Sequence, residues 1–159
     1  MADALGTRTR SLLTRSLPLV QQRREALVQR MENALAALDG KESAIGQAEV
    51  TAVMLVDLLL GETRHLVETC AFGPLGHVRG EHYLLDITGR HYSRFGDALI
   101  PVLRDLLGPI PPREALAAWC DCFWAIIRAA DGATQAPAAA MPGRGAMASP
   151  RHGSSSAGQ

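Results

Sequence analysis

Apolar residues recur at steps of three and four positions through most of this sequence, in segments that glycine and proline separate. Such spacing predicts amphipathic helices. The first segment, residues 16–40, predicts one helix or two helices joined at a bend, with Ser16 as the N-cap. Pro18 then falls in the first turn, where its missing N–H costs little. A second helix is predicted over about residues 48–68, whose wide apolar belt indicates burial on most sides.

Two more helices are predicted nearer the C-terminus. One covers about residues 92–107 and ends at Gly108, and the other covers about residues 113–130. The glycines and Pro74 between residues 72 and 80 indicate a loop with at most a short helix. Strand-type alternation with matching turn signals is absent from the sequence, so the fold class that it predicts is all-α.

The domain boundaries are predicted from the part of the sequence that contains large apolar side chains. From Asp131 onward there is no Ile, Leu, Val or aromatic residue, and such a segment cannot bury enough apolar surface to offset its ordering entropy. We therefore expect an N-terminal extension at 1–13, one folded domain at 14–130 and a disordered tail at 131–159. Cutting the chain after Ala130 is expected to leave its stability unchanged.

Charge and cysteine content exclude several classes of protein. The 16 Lys and Arg residues balance 16 Asp and Glu residues, so nothing draws the chain non-specifically to nucleic acid or to an anionic membrane. No apolar run approaches the ~20 residues that span a bilayer, and three cysteines without framework spacing argue against a secreted disulfide scaffold. We expect a soluble, cytoplasmic protein with reduced cysteines, in which Cys120 and Cys122 pack in the core rather than bind a metal.

Four ordered sequence blocks carry the strongest functional indication. These blocks are His82 with Leu85-Asp86-Ile87, His91-Tyr92, Phe95-Gly96-Asp97-Ala98-Leu99, and Ala118-Trp119 with Phe123. At these blocks the sequence resembles bacterial single-domain globins and the globin part of flavohaemoglobins, over about residues 14–130. Those proteins have a Gly-Val pair where this chain has Asp86-Ile87. The resemblance implies a globin-like helical fold with a shortened connection between its B and E helices.

The resemblance also implies b-type haem, iron protoporphyrin IX, as a cofactor, with His82 as the proximal iron ligand. Such a protein needs a neutral imidazole on the iron and an apolar slot for the porphyrin. Tyr92 falls where flavohaemoglobin-like proteins keep a tyrosine near that histidine. The other haem-contacting positions that the resemblance implies are Met31, Gln47, Val50, Met54, Leu58, Leu85, Ile87, Phe95 and Leu99. The alternative is that His82 is an ordinary loop histidine, and His91 is expected to cap a helix or lie at the surface.

The function implied by the resemblance is reversible binding of a diatomic gas, namely O2, NO or CO, for transport or sensing. Turnover is less expected, because the chain has no room for a flavin or nicotinamide reductase domain. Dioxygenation of NO or peroxidase-type activity would need an external reductase. Two rival hypotheses remain, a globin-fold sensor or partner-binding module that has lost haem, and a plain structural helical bundle.

Two positions depart from the globin pattern. No aromatic residue precedes Phe72, so the corner phenylalanine that wedges against haem is missing, and Ile45 stands near its place. Glu32 stands where many bacterial globins carry a distal tyrosine. A carboxylate there is costly to bury unpaired. Glu32 therefore either faces solvent or gives the distal side unusual chemistry.

The distal residue depends on the register. The usual bacterial spacing back from His82 gives Val50, with Met54 one turn later. Three extra residues in the loop at 72–80 give Gln47 instead, with Thr51 one turn later. We favour Gln47, because many bacterial globins use a glutamine at this position. Ligation of the iron by Met54 is a further alternative.

Overall fold

The computed structural model describes residues 5–38 and 46–135, and both ranges are largely helical. Its helices are α1 (Thr7–Gln22), α2 (Arg24–Ala36), α3 (Gln47–Thr69), α4 (Val78–Leu84), α5 (Gly89–Leu107) and α6 (Arg113–Gln135). The described ranges contain no strand, which confirms the all-α prediction for that part of the chain. None of these helices is both long and apolar enough to cross a lipid bilayer.

The helices surround one hydrophobic core. Helix α2 packs on α3 and α5, and α1 packs on α3 and α6. Helix α5 also packs on α6, and the short helix α4 lies against α6. Large side chains without exposed surface come from α1, α2, α3, α5 and α6, and they include Leu13, Leu27, Met31, Leu55, Leu59, Phe95, Leu99, Trp119 and Phe123.

The first helix begins at Thr7, so the prediction of a start at Ser16 is wrong. Instead of capping the helix, Ser16 lies inside α1, where its hydroxyl donates to the carbonyl of Leu12 at 2.8 Å and accepts from Nε1 of Trp119 at 2.8 Å. Pro18 is also inside the helix. The chain then bends at Arg23, between α1 and α2, which confirms the alternative of two helices joined at a bend.

The middle helices agree closely with the predicted segments. Helix α3 spans the predicted buried helix, and α4 is the short helix allowed after the glycine-rich loop. Helix α5 begins at Gly89, before the predicted start, because Thr88 and His91 form a reciprocal capping box. The prediction that His91 caps a helix is thereby confirmed. Helix α5 ends at Gly108, whose φ of 62° is a conformation that favours glycine.

The last helix runs to Gln135, beyond the predicted end at Ala130. Asp131 therefore belongs to α6, where its Oδ1 lies 2.7 Å from Nε of Arg79 in an ion pair. The error arose because residues 131–135 contain no large apolar side chain, although a helix needs none on its solvent side. Residues 1–4, 39–45 and 136–159 lie outside the described ranges, and with them Ile45, the segment end at 39–40 and most of the predicted tail.

Candidate functional site

His82 is buried near the end of α4, with only 2% of its surface exposed. Two backbone N–H groups, from Leu85 and Ile87, donate to its carbonyl at 3.1 and 2.8 Å and close the turn after the helix. Asp86 in this turn has a φ of 58°. That left-handed conformation favours glycine but is tolerated by aspartate.

The hydroxyl of Tyr92, at the start of α5, fixes the His82 ring. Its Oη lies 2.5 Å from Nδ1 of His82, and both side chains are buried. The Nε2 atom has no hydrogen-bond partner within residues 5–38 and 46–135. Buried polar atoms in native proteins nearly always have a partner. Nδ1 of the ring is therefore engaged, and Nε2 is an unsatisfied buried nitrogen in the described structure.

Burial lowers the pKa of His82, and the cation of Arg79 lowers it further while Glu81 opposes the change. The imidazole is therefore neutral at neutral pH, which is the form that binds a metal. Burial also raises the pKa of Tyr92, against the effect of Arg79. Tyr92 is thus a protonated phenol at neutral pH. The pair consists of two neutral groups with one hydrogen bond between them.

Arg79 connects this pair to the last helix. Its guanidinium carbon lies 4.9 Å from the centroid of the Tyr92 ring, a distance typical of a cation–π contact. The same guanidinium is ion-paired with Asp131 of α6. Helices α4, α5 and α6 therefore meet at a row of four side chains, which are His82, Tyr92, Arg79 and Asp131, hereafter the proximal row.

Of the α3 positions predicted for the distal side, Gln47 contacts the turn after α4. Gln47 is the first residue of α3, and its Nε2 donates to the carbonyl of Leu85 at 2.7 Å. Val50 and Leu85 are 42% and 37% exposed, and Met54 and Leu58 are half-buried against the core. These four apolar side chains keep accessible surface.

The remaining predicted haem contacts lie deeper. Met31, Phe95 and Leu99 have no exposed surface, and Ile87 is nearly as buried. Phe95 stacks on Phe123 with ring centroids 4.7 Å apart. These buried side chains therefore belong to the core. The site itself brings together His82, Tyr92, Leu85 and Gln47. Glu32 stays partly exposed, next to the buried Met31.

The site has a donor atom that could bind an iron, but its lining does not fit a porphyrin, because Met31, Phe95 and Leu99 have no exposed surface and fill the core. A b-type haem needs one protein ligand, and His82 is a buried imidazole whose Nε2 has no partner among the described residues. The described part of the chain contains no group of three or more His, Cys, Asp or Glu side chains placed to hold a metal ion. His65 and His77 are exposed, and Cys122 contacts Thr63 in the core.

Comparison with known proteins adds no information about this site. A scan of protein-family models and searches of curated proteins and solved structures found no match to the chain.

Sequence reasoning missed two members of the proximal row, Arg79 and Asp131. Arg79 stands one turn before His82 on α4, so its helical spacing is a usable signal. Asp131 had been assigned to the tail, and only an extension of α6 past Ala130 would have found it. The two residues are far apart in the sequence, so no local pattern links them.

Proposed function

We propose that this protein is a small haem-binding globin that reversibly binds O2 or a related diatomic gas at iron ligated by Nε2 of His82. The observation that carries the proposal is the buried His82 ring, with Nδ1 held by Tyr92 and Nε2 without a described partner. When bound, haem supplies an iron with an open coordination position for the gas. For Nε2 to act as the ligand, Nδ1 carries the ring proton and donates it to Oη of Tyr92.

The other residues would hold the porphyrin and keep water away. Of the predicted contacts, Val50, Met54, Leu58 and Leu85 keep accessible apolar surface, whereas the fully buried Met31, Phe95 and Leu99 would have to move to admit a porphyrin. On the distal side Gln47 and Val50 remain the two candidates, and the amide of Gln47 is already engaged by Leu85. We further propose the cytoplasm as the compartment, which the free thiols of the cysteines support. An external reductase would keep the iron ferrous.

The test is a haemin titration of the purified protein, followed by spectra of the ferric, dithionite-reduced and CO-exposed forms. We expect a stoichiometric complex with a Soret band that shifts on reduction and on CO addition. The variant His82→Ala should lose or alter this spectrum. His65→Ala, at an exposed position on α3, is the matched control and should behave like the unmodified protein. A flat spectrum after haemin addition, or an unchanged spectrum of His82→Ala, contradicts the proposal.

A second candidate function is a haem-free module that binds a protein partner. Two observations favour it. Met31, Phe95 and Leu99 leave no exposed surface for a cofactor, and Tyr83 and Leu84 beside the site are 82% and 84% exposed. Exposed apolar side chains in a cluster often mark interaction surfaces. For such a module, haemin should leave the melting temperature unchanged, whereas a haem protein is stabilised by its ligand.

A further inference from the structure

A cavity of about 240 Å³ lies between α1 and the connection from α5 to α6. One wall is a stripe of α1 residues at spacings of three and four positions, namely Leu12, Arg15, Ser16 and Leu19. The cavity is separate from the proximal row. Ala115, which also lines it, precedes Asp131 by sixteen positions on α6, or about 24 Å of helix.

The opposite wall is apolar and rigid. Gly108 ends α5, and the connection after it contributes Ile110, Pro111 and Pro112 to the lining. Ile110 is 73% exposed, so its side chain is available to a ligand. The rings of the two prolines fix their backbone φ angles. The wall is therefore formed before any ligand arrives, which reduces the entropy that binding loses.

The lining has one polar group that is free to bind a ligand. The Ser16 hydroxyl is already engaged by a carbonyl of its own helix and by Nε1 of Trp119. Pro111 and Pro112 have no backbone N–H to donate. Arg15 is exposed and has no ion-pair or hydrogen-bond partner within residues 5–38 and 46–135. Its guanidinium therefore stands as an unpaired cation beside an apolar surface.

The charges of the two segments that form the cavity favour an anion. Residues 7–22 and 108–115 contain four arginines and one acidic residue, Glu114. The carboxylate of Glu114 is ion-paired with Arg8 at 3.9 Å, so it leaves Arg15 to a ligand. Arginine binds carboxylates well because its planar guanidinium can donate two parallel hydrogen bonds.

The same lining disfavours a peptide. A peptide segment would bring backbone N–H and C=O groups into the cavity, where the walls offer them few partners, and buried unpaired polar groups are costly. An alkyl chain brings no such groups. The volume exceeds the ~150 Å³ of a cavity that holds benzene and is below the ~300 Å³ of the smallest typical ligand pockets. A chain of about eight carbon atoms matches that size.

We propose that this cavity binds a carboxylate with one short alkyl chain, of which octanoate is the probe. The chain lies against Leu12, Leu19 and Ile110, and the carboxylate pairs with the guanidinium of Arg15. This site is independent of the proposed gas-binding function, because it shares no residue with the proximal row.

The test is calorimetric titration of the purified chain with octanoate and with octanol, which has the same chain length and no charge. Affinity should rise about threefold to fourfold for each CH2 added from butanoate to octanoate. Arg15→Gln should weaken octanoate binding about threefold to tenfold and leave octanol binding unchanged. Arg128→Gln is the matched control, because Arg128 is an exposed arginine of α6 outside the cavity lining. It should bind both probes like the unmodified protein.

The position of the ligand is measured separately. Octanoate should shift the indole N–H signal of Trp119 in a proton–nitrogen correlation spectrum, because this group donates to Ser16 in the wall. The signal of Trp124, whose ring lies on Gly96 of α5, should move less. Ile110→Ala removes apolar surface at an exposed position and should weaken octanoate and octanol binding by similar factors.

Three results would overturn the inference. They are no saturable binding of octanoate, equal octanoate binding by Arg15→Gln and the unmodified protein, and a larger shift at Trp124 than at Trp119. Haemin uptake is a separate measurement. A chain that takes up no haem but binds octanoate through Arg15 refutes the proposed function and supports this inference.

Discussion

At the level of single residues, Gly96 has the least room for a side chain among the described glycines. It lies on α5 where Trp124 of α6 crosses, and an added Cβ would stand 2.6 Å from Cζ2 of the indole ring. No real Cβ tolerates that distance, so either the ring or the helix must move. This glycine therefore sets how closely the two helices approach.

We expect Gly96→Ala to lower the free energy of unfolding by about 1–3 kcal/mol, the usual cost of overpacking. Gly61→Ala is the control, because it lies in a helix with no atom within 4 Å of an added Cβ, and it should be neutral or stabilising by up to ~1 kcal/mol. Urea unfolding of both variants checks the prediction. Equal stability of the two variants would show that the Trp124 ring moves aside freely.

Cysteine reactivity is a second property decided residue by residue. Burial raises the pKa of Cys122 to about 11, so at pH 8 only about one thiol in a thousand is ionised. Cys70 is exposed. We expect iodoacetamide at pH 8 to modify Cys70 and to spare Cys122 until the protein is unfolded. Mass spectrometry of the tryptic peptides measures this, and rapid labelling of Cys122 in the native protein would contradict it.

Single residues also show which roles could be predicted from the sequence. The capping role of His91 was predicted and is confirmed, because its partner Thr88 lies three positions away. The identity of His82 as a candidate ligand came from a resemblance, and its role stays a prediction. The ion pair of Arg79 could not be predicted, because its partner Asp131 comes from α6 and is brought to it only by the fold.

At the level of elements, the helices were predicted well in their interiors and poorly at two ends. The start of α1 was misplaced because Ser16 and Pro18 form a familiar local start signal. In the fold the Ser16 hydroxyl instead accepts a hydrogen bond from distant Trp119. The end of α6 was misplaced because apolar spacing stops at Ala130. Both errors come from contacts between helices, which a local pattern does not contain.

The true end of α6 changes the expected effect of truncation. A chain cut after Ala130 loses Asp131 and the last turn that holds Arg79. We now expect it to be less stable than a chain cut after Gln135, by about 1 kcal/mol, which is at the upper end for an exposed ion pair. Thermal and urea unfolding of both truncated chains measure the difference. Equal stability would show that Asp131 contributes nothing to the fold.

At the level of the whole molecule, the first and last described helices, α1 and α6, pack against each other over the core. Trp119 of α6 is completely buried, and its Nε1 donates to Ser16 of α1. The all-α class was predicted from helical spacing, since each helix shows its apolar side in its own sequence. The pairing of α1 with α6 was not predicted, because the spacing of apolar residues shows which side of a helix is buried but not which other helix covers it.

Ser16→Ala should leave the indole N–H of Trp119 buried without an acceptor. The expected loss is about 1–3 kcal/mol in the free energy of unfolding. Thr14→Ala is the control, because within the described residues the Thr14 hydroxyl bonds only the exposed carbonyl of Arg10 in the same helix. Denaturant titration followed by tryptophan fluorescence measures both. A loss no larger than that of Thr14→Ala would show that another group replaces the serine.

The pairing of α1 with α6 also determines when this protein can fold during its synthesis. Ser16 and Trp119 are 103 positions apart in the chain, and a contact of that separation forms only after nearly every helix has left the ribosome. Until then α1 can pack on α3, but the part of its apolar side that α6 covers faces water or a chaperone. A nascent chain stalled before residue 119 should therefore stay protease-sensitive, and protection should arise late and in one step.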